Sequence, residues 1–348
     1  MKSIFINGRE IGPGQPTYVI AEMSANHNHD LAEALRLIHV AKESGADAIK
    51  LQTYTPDTIT IDCRNEHFLI KDTIWEGKNL YDLYGEAYTP WEWHPQLFDE
   101  ARKLGLDCFS SPFDPTSVDF LEELNPPAYK IASFELVDIP LIKKVAGCGK
   151  PMIMSTGMST REEIQDAVDA ARSAGAREIA LLKCNSGYPA PPEEMNLQTI
   201  PALAQEFDIP VGLSDHTLSI EVPVAAVALG ACILEKHFTS SRSVEGPDSK
   251  FSLEPHEFRA TVDAIRVVER ALGKPNFGPT TREQASKVFR KSLFVVEDVK
   301  AGEVFTSRNV RPIRPGAGLP PKHYEEIIGK HATRDLDRGT PLDWTMIA

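Results

Sequence analysis

The 348-residue chain has few positive charges and no long apolar run. Lys and Arg number 37 against 50 Asp and Glu, which gives a formal net charge of -13. A nucleic-acid-binding protein would present an excess of positive charge on one face, so we exclude that class. The longest apolar stretch, Val222 to Leu234, is interrupted by Pro223 and Gly230 and is too short to span a bilayer.

Cysteine is also scarce, and no CxxC pair occurs. The five cysteines are Cys63, Cys108, Cys148, Cys184 and Cys232. An odd number of scattered single cysteines is typical of reduced, mostly buried thiols. The first 14 residues contain no apolar signal-peptide core. Together these features predict a soluble, cytoplasmic protein.

Short apolar segments alternate with helical patterns from about residue 15 to about residue 275. The predicted strands are Tyr18–Met23, Ala48–Thr53, Leu106–Ser111, Ala128–Ser133, Pro151–Thr156, Glu178–Cys184, Pro210–Ser214 and Ala231–His237. Amphipathic stretches such as Leu31–Ser44, Thr160–Ala174 and Glu221–Leu229 predict helices between them. Eight β/α units in about 260 residues predict a (β/α)8 TIM barrel over residues 1–275. An open doubly wound sheet is the alternative, but no GxGxxG turn follows the first strand.

The connection after the second predicted strand, residues 54–93, is unusually long and aromatic. Its aromatic residues are Tyr54, Phe68, Trp75, Tyr81, Tyr84, Tyr88, Trp91 and Trp93. Long loops in compact domains are usually functional or disordered, and this one is too aromatic to be disordered. We therefore expect either a lid over the active site or an ordered surface excursion with its own small core.

Residues 276–348 form a linker and a second domain by their composition. Lys274-Pro275 and Gly278-Pro279 indicate a linker. A helical pattern near Thr281–Val288 and a strand-like segment at Ser292–Val296 follow. A domain of about 60 residues is expected to be too small for a deep core of its own and to pack on something else, such as a second subunit.

Polar and charged side chains lie at the carboxyl ends of most predicted strands, where barrels of this kind carry their catalytic groups. A buried charge costs several kcal/mol unless it is paired or used. We therefore expect Lys50 and Lys130 to converge on one anion, such as a phosphate. For Lys183 and Lys236, a functional and a structural role both stay open.

His216 and His237 end the seventh and eighth predicted strands, which are neighbours in a closed barrel. Two imidazoles with nearby carboxylates predict a catalytic divalent-metal site, and these ligand types suit Mn, Zn or Fe. Glu22 and Glu135 are candidates for acid/base catalysis, although each could instead pair with a strand lysine.

Motifs along nearly the whole chain resemble those of the sialic acid synthases. They are Ala21–Asn28, Lys50–Asp57, Leu80–Tyr84, Thr89–His94, Phe109–Phe113, Tyr129–Glu135, Ser155–Gly157, Gly212–Thr217, Glu235–Phe238 and Asp248–Leu253. The aromatic segment after the second strand most resembles the pseudaminic branch of that family. The carboxyl-terminal domain resembles the family's antifreeze-like (SAF, β-clip) module.

The resemblance implies that phosphoenolpyruvate adds through C3 to the aldehyde of an open-chain amino sugar, while water attacks C2 and phosphate leaves. In the pseudaminic branch the sugar is 2,4-diacetamido-2,4,6-trideoxy-L-altrose. The alternatives are an N-acetylneuraminate or legionaminate synthase, a metal-dependent aldolase that uses pyruvate, and a non-catalytic sugar-binding protein.

The resemblance also implies roles for individual residues. Positions that match phosphoenolpyruvate-binding residues are Lys50, Ser111, Lys130, Ser133, Ser155, Ser186 and Ser214, and the two lysines would also compensate charge as phosphate leaves. Gln52, Tyr188 and Asp248 match residues that contact the sugar in the family. Glu22 and Glu135 match the family's acid/base and sugar-binding carboxylates. His216 and His237 match ligands of a divalent metal, expected to be Mn²⁺, with Mg²⁺ or Co²⁺ as alternatives. Arg314 matches an arginine that reaches the partner subunit's active site, which implies a homodimer.

Overall fold

The computed structural model of the chain describes residues 3–348, which form two compact units divided between Gly273 and Lys274. The first unit contains a closed barrel of eight parallel strands, numbered one to eight here in chain order. They are Tyr18–Glu22, Ala48–Thr53, Asp107–Pro112, Tyr129–Ile131, Met152–Ser155, Ile179–Cys184, Val211–Asp215 and Ile233–His237. Strand eight pairs with strand one, with Ile233 opposite Tyr18, and this pairing closes the barrel. The predicted (β/α)8 barrel is confirmed.

A helix follows each barrel strand before the next strand begins. These helices are Leu31–Glu43, His94–Lys103, Pro115–Leu124, Ile139–Gly147, Arg161–Ser173, Thr199–Phe207, Glu221–Ala228 and Pro255–Leu272. Several begin at capping side chains: Asp30 accepts a hydrogen bond from the backbone N–H of Ala32, and Thr160 forms a capping box with Glu163. Such caps satisfy the free N–H groups of the first helical turn. The three helices predicted from amphipathic stretches are confirmed to within one residue at each end.

Shorter helices lie in the connections. The excursion between strand two and its helix contains the α-helices Pro56–Ile59 and Leu80–Ala87. Single-turn 3-10 helices in the barrel unit are Ser24–His27, Glu66–Phe68, Trp91–Trp93, Phe134–Val137, Pro192–Glu194 and Ser249–Phe251. Among residues 3–348, none of the helices combines the length and the apolar character that crossing a membrane requires.

Alternation along the barrel strands decides which side chains reach the active site. Ile20, Ile153 and Leu182 are buried in a cluster inside the barrel, whereas Val19 and Ala21 are buried in the layer that includes the helices. Because successive strand residues point to opposite faces, a residue two positions after an interior one is also interior. The strands therefore carry an apolar interior layer that gives way to polar side chains at their carboxyl ends.

A β-hairpin that precedes the first barrel strand was not predicted from the sequence. Its strands, Ile4–Ile6 and Arg9–Ile11, are antiparallel and joined at Asn7-Gly8. Both turn residues have positive φ, which asparagine and glycine tolerate in a two-residue hairpin turn. Ile4, Ile6 and Ile11 are completely or almost completely buried and belong to the interior cluster of the barrel. The hairpin therefore completes the apolar interior.

The second unit has a core of its own, so the expectation that it would lack one is wrong. Its antiparallel strands are Ser292–Val295 and Val310–Ile313, and its helices are the 3-10 helices Arg282–Phe289, Pro321–His323 and Trp344–Met346 and the α-turn Tyr324–Ile327. The core comprises Leu293, Val295, Val299, Phe305, Val310, Ile327, Ala332, Leu336, Leu342 and Met346. Isolated bridges such as Val299 with Leu336 join distant segments and enclose these side chains without long elements.

Replacing Ile6 by Ala should lower the free energy of unfolding of the barrel by about 2–5 kcal/mol, because it removes buried volume from the interior cluster. Phe5 lies on the other face of the same strand with 51% of its surface exposed, so Phe5→Ala should cost much less. Urea unfolding followed by circular dichroism compares the two variants. Equal losses would contradict the role of the hairpin in the barrel interior.

Candidate active site

A cavity of about 480 Å³ lies at the carboxyl ends of the barrel strands. Strand ends form its floor, the excursion forms one wall, and the loop after strand eight contributes Pro247, Asp248 and Phe251. Eleven of the fifteen predicted site residues line it: Lys50, Gln52, Lys130, Ser133, Glu135, Ser155, Tyr188, Ser214, His216, His237 and Asp248. The closed barrel thus brings residues from distant parts of the sequence to one place.

The other four predicted site residues lie elsewhere. Glu22 and Ser111 lie beneath the lining and contact Lys50 Nζ, at 2.6 Å from Glu22 Oε2 and 3.3 Å from Ser111 Oγ. Ser186 is near the lining, with its Oγ 4.0 Å from the Sγ of Cys184. Arg314 is an exposed residue of the second unit.

Four buried charged side chains form the centre of the floor. Lys50 pairs with Glu22, and its Nζ lies 3.8 Å from Glu235 Oε2. The Nζ of Lys130 lies 3.9 Å from the other oxygen of Glu235, which also accepts a 3.0 Å hydrogen bond from Ser214. Glu235 therefore stands between two lysines. Sequence reasoning gave it no role, although it lies two residues before His237 and on the same face of strand eight.

Burial and mutual attraction set the pKa values of this cluster. Burial raises the pKa of Glu22 to about 7, and the neighbouring Glu235 adds to this, although Lys50 opposes it. For Glu235, burial is outweighed by Lys130 and Lys50, which together lower its pKa. For Lys50, burial is outweighed by Glu22 and Glu235, so its pKa is raised. Burial lowers the pKa of Lys130. Glu235 is thus the stronger acid of the two carboxyl groups.

Lys130 is held by two neutral acceptors. Its Nζ donates to Ser155 Oγ at 2.7 Å and to the carbonyl oxygen of Ile131 at 3.0 Å. An ammonium carries three N–H donors, so these bonds leave one for another acceptor. Lys130 lines the cavity, and a bound anion can therefore take up the third donor.

Gln52 and Asp248 belong to one chain of hydrogen bonds at the side of the floor. Gln52 Nε2 donates to Glu22 Oε1 at 3.0 Å and to Ser24 Oγ at 2.8 Å. Ser24 in turn donates to the buried carboxylate of Asp248, which also accepts from the backbone N–H of Ala25. This chain of hydrogen bonds joins strands one and two to the loop after strand eight.

Glu135 is a carboxyl group that lines the cavity and has a free oxygen. Its Oε2 is buried and has no hydrogen-bond partner. Burial raises the pKa of Glu135 to about 7, while more distant lysines oppose the shift only in part. A carboxyl group whose pKa is near neutrality can exchange a proton with a substrate.

The two candidate metal ligands lie side by side, with ring centroids 5.3 Å apart. His216 Nδ1 donates to the carbonyl oxygen of Asn185 at 2.7 Å, which orients the ring, and the imidazole also forms a hydrogen bond with the Cys184 thiol. His237 Nδ1 is buried and unpaired. Burial, together with His216, holds the pKa of His237 well below its usual range, so its imidazole is neutral.

Within residues 3–348, no group of three or more His, Cys, Asp or Glu side chains is arranged as a metal site. The donors that are present fit a cation held by two imidazole nitrogens, with its other positions left for water or substrate oxygens. The unpaired buried nitrogen of His237 is the observation that favours this fit.

Cys184, at the carboxyl end of strand six, is a second residue to which sequence reasoning gave no role. Ser133 Oγ donates to its Sγ at 3.3 Å. Burial alone would raise the pKa of the thiol, but His216 outweighs burial and lowers it to about 7. The alternation of strand six, which places Lys183 on the opposite face, is the sequence signal for an inward Cys184.

The other two strand lysines have structural partners. Lys236 Nζ lies 2.7 Å from Asp215 Oδ2 and donates to the carbonyl oxygen of Thr217 at 2.6 Å. Lys183 Nζ donates to the carbonyl oxygen of Cys184 at 2.6 Å. Neither lysine lines the cavity. These contacts favour the structural alternative for both lysines.

The excursion is an ordered wall of the cavity. Nine of its residues line the cavity: Tyr54, Ile59, Ile70, Thr73, Trp75, Leu80, Leu83, Tyr84 and Ala87. Trp75 Nε1 donates to the carbonyl oxygen of Pro247 at 3.1 Å, which ties the excursion to the loop after strand eight. The excursion thus lies over the site, and its movement as a lid stays a prediction.

Comparison with known proteins agrees with this geometry. The NeuB family model matches residues 37–276, and the SAF domain model matches residues 290–348. The chain is 46% identical to pseudaminic acid synthase from Helicobacter pylori, covering 94% of this chain and 97% of that protein. It is 38% identical to N,N'-diacetyllegionaminic acid synthase from Campylobacter jejuni, covering 92% and 96%.

Among solved structures, the N-acetylneuraminic acid synthetase of Leptospira borgpetersenii, crystallised with citrate, is 32% identical. The match has a TM-score of 0.73 and covers 82% of this chain and 95% of the other. The family model covers well over half of the chain and the relatives cover nearly all of it. The chain therefore belongs to the NeuB family and carries a SAF domain at its carboxyl end.

Proposed function

We propose that the protein condenses phosphoenolpyruvate with 2,4-diacetamido-2,4,6-trideoxy-L-altrose and water to give pseudaminate and phosphate. The observation that carries the choice of branch is the identity of 46% to a pseudaminic acid synthase over almost the full length, against 38% to a legionaminic acid synthase. The cavity supports it with two buried lysines, Lys50 and Lys130, that can receive an anion beside an apolar wall.

The reaction balances without an oxidant or reductant. A carbon–carbon bond forms between C3 of phosphoenolpyruvate and the aldehyde carbon, whose oxygen takes up a proton. Water adds to C2 and loses protons, and the bond between C2 and the phosphate oxygen breaks. The products are a 2-keto sugar acid and inorganic phosphate.

Lys50 and Lys130 are proposed to bind the anionic groups of phosphoenolpyruvate. Both line the cavity and both are buried, so their charges act in a medium where attraction is stronger than in water. Fixed positive charges also stabilise the negative charge that grows on phosphate as it leaves. The serines around them, Ser133, Ser155 and Ser214, add neutral donors along the floor.

Glu135 is proposed to give the aldehyde oxygen its proton. It lines the cavity, has a free carboxyl oxygen and holds its proton up to about pH 7. Glu22 is proposed to act differently, because its oxygens are engaged by Lys50 and Gln52. It orients these two side chains and can accept a proton from within the floor.

His216 and His237 would hold a divalent cation, for which Mn²⁺ is our first choice and Mg²⁺ or Co²⁺ are alternatives. Bound there, the cation would supply Lewis acidity towards the aldehyde oxygen. Gln52, Tyr188 and Asp248 line the same cavity and are proposed to contact the sugar hydroxyl and amide groups.

We further propose that the protein is a cytoplasmic homodimer in which Arg314 reaches the partner subunit's cavity. Five free cysteines suit a reducing compartment. Arg314 is exposed in the second unit, and a guanidinium can donate to an acyl oxygen of the sugar.

The decisive assay is phosphate release from phosphoenolpyruvate in the presence of Mn²⁺. Parallel reactions contain the L-altro sugar, N-acetylmannosamine, the legionaminate precursor or no sugar. We expect release only with the L-altro sugar, and a loss of at least about 100-fold in Lys130→Met, which removes a buried charge from the floor. Phosphate release with only one of the other sugars would assign the protein to another branch of the family. No phosphate release with any sugar would reject the proposed reaction.

The metal site is tested by Mn²⁺ binding measured by electron paramagnetic resonance after dialysis. His237→Ala should weaken binding by more than the roughly 10- to 100-fold that outer-shell changes cause, because a ligand is lost. His39 is surface-exposed and pairs with Glu100, so His39→Ala serves as the matched control. Unchanged Mn²⁺ affinity in His237→Ala would remove this residue from the metal site.

The proton role of Glu135 predicts a pH dependence. Because the protonated form is the active one, turnover should fall as pH rises through about 7. Glu135→Gln keeps the shape but cannot give up a proton, so turnover should fall by about 10²–10⁴-fold and lose this limb of the profile. A limb that persists near pH 7 in Glu135→Gln would assign the proton to another group.

Arg314→Ala should raise the KM of the sugar at least 10-fold more than that of phosphoenolpyruvate, whereas Arg311→Ala, also exposed, should change neither. Mixing Arg314→Ala with Lys130→Met under conditions of subunit exchange should restore activity, because one site of the mixed dimer regains both residues. No recovery from confirmed mixed dimers would show that the sites are not shared.

A further inference from the structure

The cavity has two chemically different sides. Its floor carries the charged groups, whereas the excursion contributes mostly apolar side chains. We call these the excursion wall: Ile59, Ile70, Trp75, Leu80 and Leu83. None of the roles proposed above involves a residue of this wall.

The wall is held in place over the floor. Trp75 donates through Nε1 to the carbonyl oxygen of Pro247, one residue before the proposed sugar contact Asp248. The Trp75 ring also lies 5.8 Å, centroid to centroid, from the ring of Tyr188, which lies against His216. Leu83 is buried, and Ile70 has its backbone N–H bound to the carbonyl oxygen of Lys78. The apolar surface therefore contacts the loop after strand eight and Tyr188 through Trp75.

The direction of the sugar follows from the chemistry of the floor. The aldehyde carbon must meet phosphoenolpyruvate near Lys50 and Lys130, so the other end of the open six-carbon chain points away from the floor. A hydroxyl group pressed against apolar side chains without a partner loses its hydrogen bonds to water. A methyl group in the same place gains from burial.

We propose that the excursion wall binds the C6 methyl group of a 6-deoxy sugar and selects it over a 6-hydroxyl group. This inference rests on the proposed function, since it takes the sugar's aldehyde to react at the floor. It gives the excursion a role in substrate specificity that is separate from the chemistry at the strand ends.

The test compares two sugars that differ at one position, the L-altro 6-deoxy substrate and its 6-hydroxy counterpart. In the unaltered protein, kcat/KM should favour the 6-deoxy sugar by about 10- to 100-fold, the range that apolar pockets achieve. Ile70→Asn places a polar group on the wall and should reduce this preference at least 10-fold, mainly by raising the KM of the 6-deoxy sugar. The KM of phosphoenolpyruvate should not change.

Ile74→Asn is the matched control. Ile74 belongs to the same segment, is 45% exposed and does not line the cavity, so its variant should keep the preference of the unaltered protein. Thermal unfolding confirms that both variants are folded. Two results would show that the wall does not discriminate at C6. One is an equal fall in kcat/KM for both sugars in Ile70→Asn, and the other is an equally large change of preference in Ile74→Asn.

The two proposals fail separately. If the unaltered protein turns over neither L-altro sugar, the proposed function fails. If it turns over both sugars equally well, the reaction stands and the proposed role of the wall is wrong.

Discussion

The pairing of buried charges at the barrel floor is the constraint on which the site depends. Lys50, Lys130, Glu22 and Glu235 are almost completely removed from water, and each would cost several kcal/mol if left alone. They are tolerated because each lysine has a carboxylate within 4 Å and because serine hydroxyls occupy further donors and acceptors. The rigid parallel ladder of the barrel keeps these partners in register.

The same pairing explains why the floor can receive an anion. Lys50 is matched by Glu22, which leaves Lys130 to share Glu235 at a longer distance. Lys130 also has one donor that its neutral partners do not use. A phosphate or carboxylate that enters the cavity can accept a hydrogen bond from this unused donor of Lys130. Its negative charge then compensates the buried positive charge of the lysine.

Much of the fold was readable from the sequence because buried parallel strands are short apolar runs, and all eight were found to within two residues. Most of the site followed, since the strand ends of a barrel converge. Glu235 and Cys184 were missed because each has a charged neighbour in sequence, Lys236 and Lys183. The residue types alone therefore do not show which of the two neighbours points into the barrel. Counting in steps of two from Ile233 places Glu235 and His237 inside and Lys236 outside, as the structure shows.

Other features leave no such pattern. The role of Asn185 lies in its backbone carbonyl, which orients His216 and which every residue type carries. The core of the second unit is closed by isolated bridges between distant segments, and these have no periodic signature. The amino-terminal hairpin had a readable turn, Asn7-Gly8, but its strands are only three residues long.

The division between floor and wall also separates two physical demands on the site. The proposed chemistry needs fixed charges at fixed distances, and the ends of hydrogen-bonded strands supply these. The relatives are synthases of different sugar acids, pseudaminic acid in one case and N,N'-diacetyllegionaminic acid in another. An excursion inserted between a strand and its helix can change length and composition without disturbing the barrel, because no barrel hydrogen bond passes through it. We therefore expect the residues that determine sugar specificity to lie in residues 54–93, and the residues that carry out the reaction to lie at the ends of the barrel strands.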